Sequence, residues 1–564
     1  MTLKNRIAHW KKEPFDQDTI EAVEKLEKNS ALCEDAFYKE VSFGTGGMRG
    51  IMGVGTNRIN KYTLGKATQG LSNHLKKRFS NQIKVVIAYD CRHNSKEFAS
   101  DVAQVLSANG ITAYLFSELC PTPLLSYAVR HLGAQAGIVL TASHNPPEYN
   151  GYKVYNEFGG QIVPPQDQAI IDEIGSLDYD AILWKGENTP IQILDHEIDK
   201  AYLKEIAAKS ISSIEAKKNT SIVFTALHGT SIRSIPSLLK DAGFEKVTSV
   251  EEQAKPNGDF PTVQSPNPEE EEAFEYALKK AKEIDADIII GTDPDADRLG
   301  IGVKNLKNEW TLLNGNQLMV VLTRFVLEQQ PKEKLNKNSF IGTTVVSTPM
   351  MPLLASYFGV NCKMGITGFK WIGKMIHDSP KETFLCGGEE SYGFLFGNEV
   401  RDKDAVSAAL LACDLHAHLT SKGSTLYAYL VDTYKKLGCY SENQISITKK
   451  GKEGAAEIEQ TIRELRQNPP VKIAGVNVLY SEDYNSLNRR HTSGKTEEIN
   501  LPKTNMLRFV LEDKSEIAIR PSGTEPKIKY YFSVNDKLDN SIDFSSLTNK
   551  LEKKSQKLAN AMIH

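Results

Sequence analysis

Five short runs of residues could do chemistry. In Asp293-Pro294-Asp295-Ala296-Asp297-Arg298, three carboxylates at alternate positions follow the apolar run ADIIIGT. Side chains at alternate positions leaving a strand project to one side. Carboxylates that close repel each other, and a hard divalent cation bound through oxygen removes that cost. An EF-hand does not fit, because its sixth position is Arg298 and its twelfth is Lys304. The reading is a solvent-facing loop suited to Mg²⁺, with coordination positions left for a substrate or phosphate oxygen. The plain alternative is a solvated acidic turn.

The second run, Thr141-Ala142-Ser143-His144-Asn145-Pro146-Pro147, ends an apolar strand and leads through Asn150-Gly151 to Lys153. It reads either as a polar turn with Ser143 as a cap, or as an exposed Ser143 hydroxyl that carries a transferred group, with His144 and Lys153 managing protons and charge. No GxSxG elbow accompanies it, so hydrolase-type acyl transfer is not supported. The third run, Arg520-Pro521-Ser522-Gly523-Thr524-Glu525-Pro526-Lys527, offers a guanidinium, two hydroxyls and backbone amides. That set suits a phosphate, although a turn before a helix would look similar. In the fourth, Gly387-Gly388-Glu389-Glu390-Ser391-Tyr392-Gly393, Glu389 and Ser391 could hydrogen-bond vicinal hydroxyls. The fifth, Phe43 to Gly50, reads as a mobile loop delivering Arg49 to an anion. A dinucleotide fingerprint is rejected there, since no strand precedes it and Arg49 replaces the third glycine. There is also no GxxxxGK[ST] phosphate loop, and His228 in TALHGT reads as structural.

The elements around these runs repeat. An amphipathic helix ends in glycine and passes into a short strand at Gly110, Gly243 and Gly359. Each unit has an apolar β-branched run upstream (KVVIAYD, SIVFTAL, SFIGTTVV) and a second apolar strand downstream that runs into one polar motif. Spacings beyond a hundred residues mean repeated domains instead of solenoid turns. The expected fold is α/β: three repeated domains with mostly parallel sheets, then a C-terminal α+β domain with an antiparallel sheet, around a central cleft. The boundaries read as a helical lead-in over 1–40 and domains over 41–205, 206–312, 313–440 and 441–564.

The 564 residues carry 68 Lys plus Arg against 71 Asp plus Glu, a net charge of −3, which gives no bulk attraction for nucleic acid. No apolar run is long enough to span a bilayer and no signal peptide is evident, so a cytoplasmic protein without membrane partners is expected. The 7 cysteines lack CxxC spacing and read as buried or incidental thiols; Cys386 has no paired base in view.

Ser-His-Asn-Pro, Asp-Pro-Asp-Ala-Asp-Arg, Gly-Glu-Glu-Ser and Arg-Pro-Ser-Gly-Thr-Glu-Pro, in this order and about one per domain, resemble the α-D-phosphohexomutases, from about Phe43 to Phe532. The resemblance implies that Ser143 is the phosphoserine that gives and takes the phosphoryl group. It implies that Asp293, Asp295 and Asp297 hold one Mg²⁺, which also touches Ser143. It places Glu389 and Ser391 on sugar hydroxyls, and Arg520, Ser522, Gly523 and Thr524 on the phosphate that is not reacting. Arg49, His144, Lys153 and Arg298 match charged active-site positions, with Lys153 assigned to proton transfer. Thr367-Gly368-Phe369-Lys370 matches the specificity loop, so Thr367, Gly368 and Lys370 are further substrate contacts. Glu-Glu-Ser-Tyr-Gly and Thr-Gly-Phe-Lys look like the glucose branch, whereas Arg401-Asp402-Lys403-Asp404 and GTNRINKYT look like the bacterial branch that adjoins pentose enzymes. The implied activity is interconversion of glucose 1-phosphate and glucose 6-phosphate through a sugar 1,6-bisphosphate. Pentose or mannose phosphates are the alternative substrates; a phosphatase or a non-catalytic sugar-phosphate binder is the more distant reading. The expected partners are small sugar phosphates, and the chain is expected to be a monomer or a weak homo-oligomer.

Overall fold

The computed structural model describes residues 2–563 apart from Thr45, Lys450, 523–526 and 540–542, and apart from the side chains of 451, 452 and 455. Two compact units share the chain. One comprises Met1–Asn314, Ile376–Pro380 and Ser391–Gly423; the other comprises Gly315–Met375, Lys381–Glu390 and Ser424–His564.

The first unit holds two sheets. In one, the order is Gly47–Ile51, Tyr149–Asn156, Ala136–Leu140, Lys84–Tyr89, Thr112–Phe116, Gln192–Leu194. The last four strands are parallel, and Tyr149–Asn156 runs antiparallel to both of its neighbours. The other sheet runs Trp310–Leu313, Leu299–Lys304, Ile288–Thr292, Ser221–Thr225, Lys246–Ser249, again with a parallel part and an antiparallel edge. The sheets are thus mixed and mostly parallel, as expected, with the antiparallel pairing confined to one edge of each. The reason lies in the polar motifs: residues 141–148 and 293–298 are too short for a crossover helix, so the following strand must turn straight back. Both motifs thus become tight connections at the carboxyl ends of buried strands, where α/β sheets bind ligands. Gly110 and Gly243, at φ +74° and +100°, supply the expected left-handed helix ends.

Buried apolar faces hold this unit together. Val85, Ile87, Ile138 and Leu140 pack with Leu64, Leu71, Val102 and Leu106 from flanking helices. Each such side chain contributes about 1.5–3 kcal/mol of burial free energy. Helices Leu3–His9, Gln17–Glu27 and Ser30–Phe37 form the lead-in. Thr2, Asp16 and Asn29 cap them by accepting from the amides of Asn5, Thr19 and Leu32. A second apolar cluster ties them down: Trp10 stacks on Phe15 at 4.4 Å, and both pack with Phe37, Tyr62 and Tyr179.

Residues Ser391–Gly423, which sequence reading assigns to the third domain, pack within the first unit. Helix Ala405–Ser421 is buried along almost its whole length, so one apolar neighbour cannot cover it. Two buried acids fasten it: Asp404 accepts from Tyr202 Oη at 2.8 Å, and Asp414 accepts from Ser210 Oγ and the Ile211 amide.

In the second unit, strands Asn361–Gly365, Ser339–Thr344 and Thr383–Gly388 are parallel, and the helix before the first ends at Gly359 with φ +74°. The C-terminal sheet is antiparallel in the order Cys439–Thr448, Lys527–Asp536, Glu516–Pro521, Leu507–Leu511, Val476–Asp483, Asn488–His491, Thr496–Glu498. Leu507–Leu511 and Glu516–Pro521 form the hairpin expected near Asp513.

Trp10→Ala removes the centre of the lead-in cluster. It is expected to cost about 3–5 kcal/mol in denaturant unfolding while leaving kcat within about twofold, because none of the candidate site residues named above belongs to this cluster.

Candidate functional site

The acidic loop is buried. Asp293, Asp295 and Asp297 are 0%, 0% and 1% exposed, and one oxygen from each lies within 4.8 Å of the others. This corrects the solvent-facing loop expected from composition. The inner part of the connection is held by its own backbone: the amides of Asp297 and Arg298 donate to Asp293 Oδ1 at 3.1 and 3.0 Å. Ala296 sits at φ +54°, a left-handed conformation that costs a non-glycine residue about 1–3 kcal/mol. Helix Ala405–Ser421 holds it there, because the Ala405 amide donates to the Ala296 carbonyl.

Ser143 is also buried, at 6% exposure and φ +53°, where the notion of an exposed hydroxyl fails. Its amide donates to Thr141 Oγ1 at 2.8 Å. Its hydroxyl donates to Asp293 Oδ2 at 2.7 Å, and His144 Nδ1 lies 3.2 Å away. Serine and acidic loop, 150 residues apart in sequence, therefore meet. Burial, then Arg298 and Arg49, push His144 well below its ordinary pKa, so its ring is neutral.

Cations answer the carboxylates. Lys153 reaches Asp295 Oδ2 at 2.8 Å and Asp297 Oδ2 at 3.2 Å. Burial works against its charge, but the two aspartates raise it to about 12, so it is an ammonium here. Lys403 lies 2.8 Å from Asp297 Oδ2. Burial opposes ionisation of Asp297, yet Lys403, Lys153 and Arg298 outweigh it and hold this carboxyl far below the usual range. Asp293, with fewer cations, is pushed well above it by burial and by Asp297 and Asp295. Asp295 Oδ2 also accepts from Thr122 and Thr141 hydroxyls at 3.3 and 3.1 Å.

Asp295 Oδ1 and Asp297 Oδ1 are buried without a hydrogen-bond partner. Two orphaned carboxylate oxygens beside a third acid and a serine hydroxyl are a donor set that fits a hard divalent cation. Arg49 is exposed, and it stands on strand Gly47–Ile51, paired to Gly151, instead of on a mobile loop. Arg298 pairs with Glu269 and faces the same polar interior through its effect on Asp293 and His144.

Several participants escaped sequence reasoning. Arg92, 3% exposed, donates to the carbonyls of Ser143 (2.6 Å), Asn145, Pro146 (2.8 Å) and Tyr149 (3.1 Å). It is the frame of the serine loop, braced by Asp90 at 3.4 Å and by Phe260 beneath its guanidinium. The available signal was a polar cluster, Asp90-Cys91-Arg92, directly after an apolar strand. Lys403 lay in a run noted only for its likeness to one branch of the family. His228 is structural as expected, with its ring nitrogens 3.1 Å from the Lys255 carbonyl and 2.9 Å from Thr262 Oγ1. All cysteines are free, and burial pushes Cys386 up to about 12.

The remaining candidates divide between the units. Ser391 belongs to the first, whereas Thr367, Gly368, Lys370, Glu389, Arg520 and Ser522 belong to the second. Glu389 is buried at the end of strand Thr383–Gly388, and its neighbour Glu390 accepts from Ser347 Oγ at 2.9 Å. Tyr531 feels Glu390, Arg520 and Glu389 together, so these groups share one region of that unit. Gly368 has φ +112° just before helix Lys370–Asp378, and Thr367 Oγ1 is buried without a partner. Ser522 donates its amide to the Lys527 carbonyl at 2.7 Å. Gly523 and Thr524 lie outside the described residues.

A serine and three aspartates at adjoining strand ends, repeated sheets and an antiparallel last domain define a phosphosugar-mutase architecture, and comparison agrees. Residues 40–180, 200–307 and 314–434 match alpha/beta/alpha domains I, II and III of phosphoglucomutase/phosphomannomutase. The chain belongs to that family. It is 36% identical over 537 residues to a phosphoglucomutase of Staphylococcus haemolyticus, covering 93% of this chain and 96% of that one. It is 39% identical over 506 residues to a Staphylococcus aureus phosphoglucomutase, covering 89% and 90%. Among solved structures, a phosphoglucomutase/phosphomannomutase family protein of Burkholderia thailandensis superposes with TM-score 0.65 at 19% identity, covering 92% and 97%. The open form of parafusin from Paramecium, an exocytosis-sensitive phosphoprotein (phosphoglucomutase), gives 0.67 at 17%, covering 93% and 96%.

Gly229 packs so tightly that an added Cβ would lie 2.4 Å from Pro294 Cα, inside the acidic loop. Gly229→Ala is therefore expected to raise the metal concentration needed for half-maximal activity by roughly tenfold and to lower Tm. Asp295→Ala should lower kcat by about three orders of magnitude, on the scale of several kcal/mol for a lost cation site. Because Asp295 is buried beside Lys153, a lower Tm should accompany that loss.

Proposed function

We propose that the protein interconverts glucose 1-phosphate and glucose 6-phosphate by passing a phosphoryl group through Ser143. The observation that carries this reading is the 2.7 Å contact between Ser143 Oγ and Asp293, inside a buried triad of aspartates flanked by Lys153 and Lys403. A phosphoserine brings about −1.5 to −2 charges and a sugar phosphate a similar load. Phosphoryl transfer is mainly positioning and charge stabilisation, and this interior is built for both.

Asp293, Asp295 and Asp297, with Ser143, would hold Mg²⁺; when bound, it would neutralise phosphoryl oxygens during transfer. Arg92 fixes the Ser143 loop, so the Oγ stays aimed while the loop carries different charge. In the first half-reaction the P–Oγ bond of phospho-Ser143 breaks and a bond from phosphorus to a sugar hydroxyl oxygen forms, giving the 1,6-bisphosphate. The sugar hydroxyl proton ends on the departing Ser143 Oγ, and Lys153 is assigned its relay: the ammonium gives one proton to Oγ as it takes the hydroxyl's. In the second half, the other phosphate returns to Ser143; the released sugar oxygen takes a proton from the Lys153 ammonium, which the Ser143 hydroxyl proton restores. Neutral His144, beside Oγ, and the cations Arg49 and Arg298 complete the charge environment. Glu389 and Ser391 are assigned to sugar hydroxyls. Thr367, Gly368 and Lys370 are assigned to further sugar contacts, and Arg520, Ser522, Gly523 and Thr524 to the distal phosphate. A cytoplasmic location and small phosphosugar partners follow from this reading, and among the described residues no helix is long and apolar enough to cross a membrane.

The test is the phosphoenzyme itself. Incubation with glucose 1,6-bisphosphate should add one phosphate to the intact mass of the wild-type chain and none to Ser143→Ala, which should lose at least 10³-fold in kcat. Full activity of Ser143→Ala with bisphosphate present would sink the mechanism. Comparing kcat/KM for glucose, mannose and ribose 1-phosphates should rank glucose first; a higher value for ribose 1-phosphate would reassign the substrate.

A further inference from the structure

Away from Ser143, two arginines of the first unit stand together short of acceptors. Arg401 is 8% exposed, and its described hydrogen bonds use only Nη1, which donates to the carbonyls of Asn398 (2.8 Å) and Val400 (2.9 Å). Among the described residues its Nε and Nη2 meet no protein acceptor. Arg130 closes the last turn of helix Thr122–His131, and its Nη1 is buried with no partner. The stems converge on one tight turn. A Cβ on Gly159 would meet Arg130 Cγ and Cδ at 3.0 Å, and one on Gly160 would meet Arg401 Cβ at 3.6 Å. The Arg401 amide is anchored to the same place through Ser126 Oγ at 2.9 Å.

The neighbouring carboxylates are committed elsewhere. Glu399 pairs with Lys209 and accepts from the Asn398 amide at 2.9 Å. Glu205 accepts from Tyr127 Oη at 2.7 Å. Neither lies within ion-pair distance of Arg130 or Arg401, although both act on Arg130 electrostatically. The group is therefore three cations, Arg130, Arg401 and Lys209, against two anions. Burial and the nearby Arg130 charge push Arg401 down to about 9, a measure of how poorly its charge is compensated. Guanidinium is not neutralised in proteins, so the unmet demand is for an anion.

We propose that Arg130 and Arg401 form an oxyanion site that takes a phosphate group, either free or as a monoester, separate from the Ser143 centre. Two guanidinium edges with unused donors match the several oxygens of a phosphate, which accept charge-assisted bonds at once from both. The site adjoins the chemistry through the chain: Asp402 accepts from Tyr155 Oη at 2.7 Å, and Lys403 holds Asp297. Filling it would settle the segment that presents Lys403, so an anion bound here would modulate turnover. That last effect rests on the proposed mutase reading; binding does not.

The experiment is thermal melting of the full chain in a chloride buffer, titrated separately with inorganic phosphate, glycerol 2-phosphate and citrate. Wild type is expected to gain Tm with one or both phosphates and less with citrate. In Arg130→Gln the phosphate midpoint should move up at least about tenfold, the weight of one lost charge-assisted bond, while KM for glucose 1-phosphate stays within about twofold. Arg401→Lys keeps the charge but loses the fork and should fall between them. A response to inorganic phosphate alone identifies the free ion as the ligand, and a response to the ester alone identifies a monoester. Equal phosphate responses in wild type and Arg130→Gln overturn the proposal. So does a lower Tm for Arg130→Gln in chloride alone, which would make Arg130 a structural residue.

Discussion

Three carboxylates within 4.8 Å of one another and shielded from water repel strongly, and the polar interior of the first unit is organised around that repulsion. At an effective dielectric near 20, two such charges cost about 3–4 kcal/mol. Lys153 bridges Asp295 and Asp297, Lys403 adds a second ammonium to Asp297, hydroxyls of Thr122 and Thr141 support Asp295, and backbone amides serve Asp293. The arrangement is not fully balanced by protein groups, since one oxygen each of Asp295 and Asp297 remains unpartnered. An interior left acidic in this way is matched to a visiting divalent cation and would be poorly matched to a purely structural role.

The same constraint explains why the serine loop is rigid. A nucleophile serving a fixed charge centre must not wander, and Ser143 is held in a left-handed backbone conformation by Thr141 and by four carbonyl contacts from Arg92. Arg92 is in turn braced by Asp90, a buried acid pushed above its ordinary pKa by desolvation. Positioning passes from strand Lys84–Tyr89 through this pair to the serine.

Much of this was legible in the residues, and the misses have physical causes. The repeated helix–glycine–strand signature fixed three related domains, because a left-handed helix end at Gly110, Gly243 or Gly359 leaves a local mark. The aspartate run was legible as a cation site because its spacing is chemical. Its burial was not, since composition reads charge as exposure, whereas the loop is enclosed by partners distant in sequence, among them Thr122, Thr141, Gly229 and helix Ala405–Ser421. Lys403 and Arg92 were missed because what matters is their partners, more than fifty residues away in sequence. That the sheets are mixed was legible, but not which strands run antiparallel, because a run of apolar residues carries no strand direction; the shortness of the motif connections does. Gly523 and Thr524 fall outside the described residues, so their part of the reading rests on the motif alone.

The first unit is not a continuous stretch of chain: it takes Met1–Asn314, then Ile376–Pro380, and closes only with Ser391–Gly423. This has a consequence for the order of synthesis. On a ribosome, the serine and all three aspartates emerge a hundred residues before Lys403 and the helix that covers them. Until that helix arrives, the acidic loop lacks its second ammonium and its apolar lid. N-terminal parts of a chain fold first, yet here the centre of charge can be finished only after most of the third repeat has been translated.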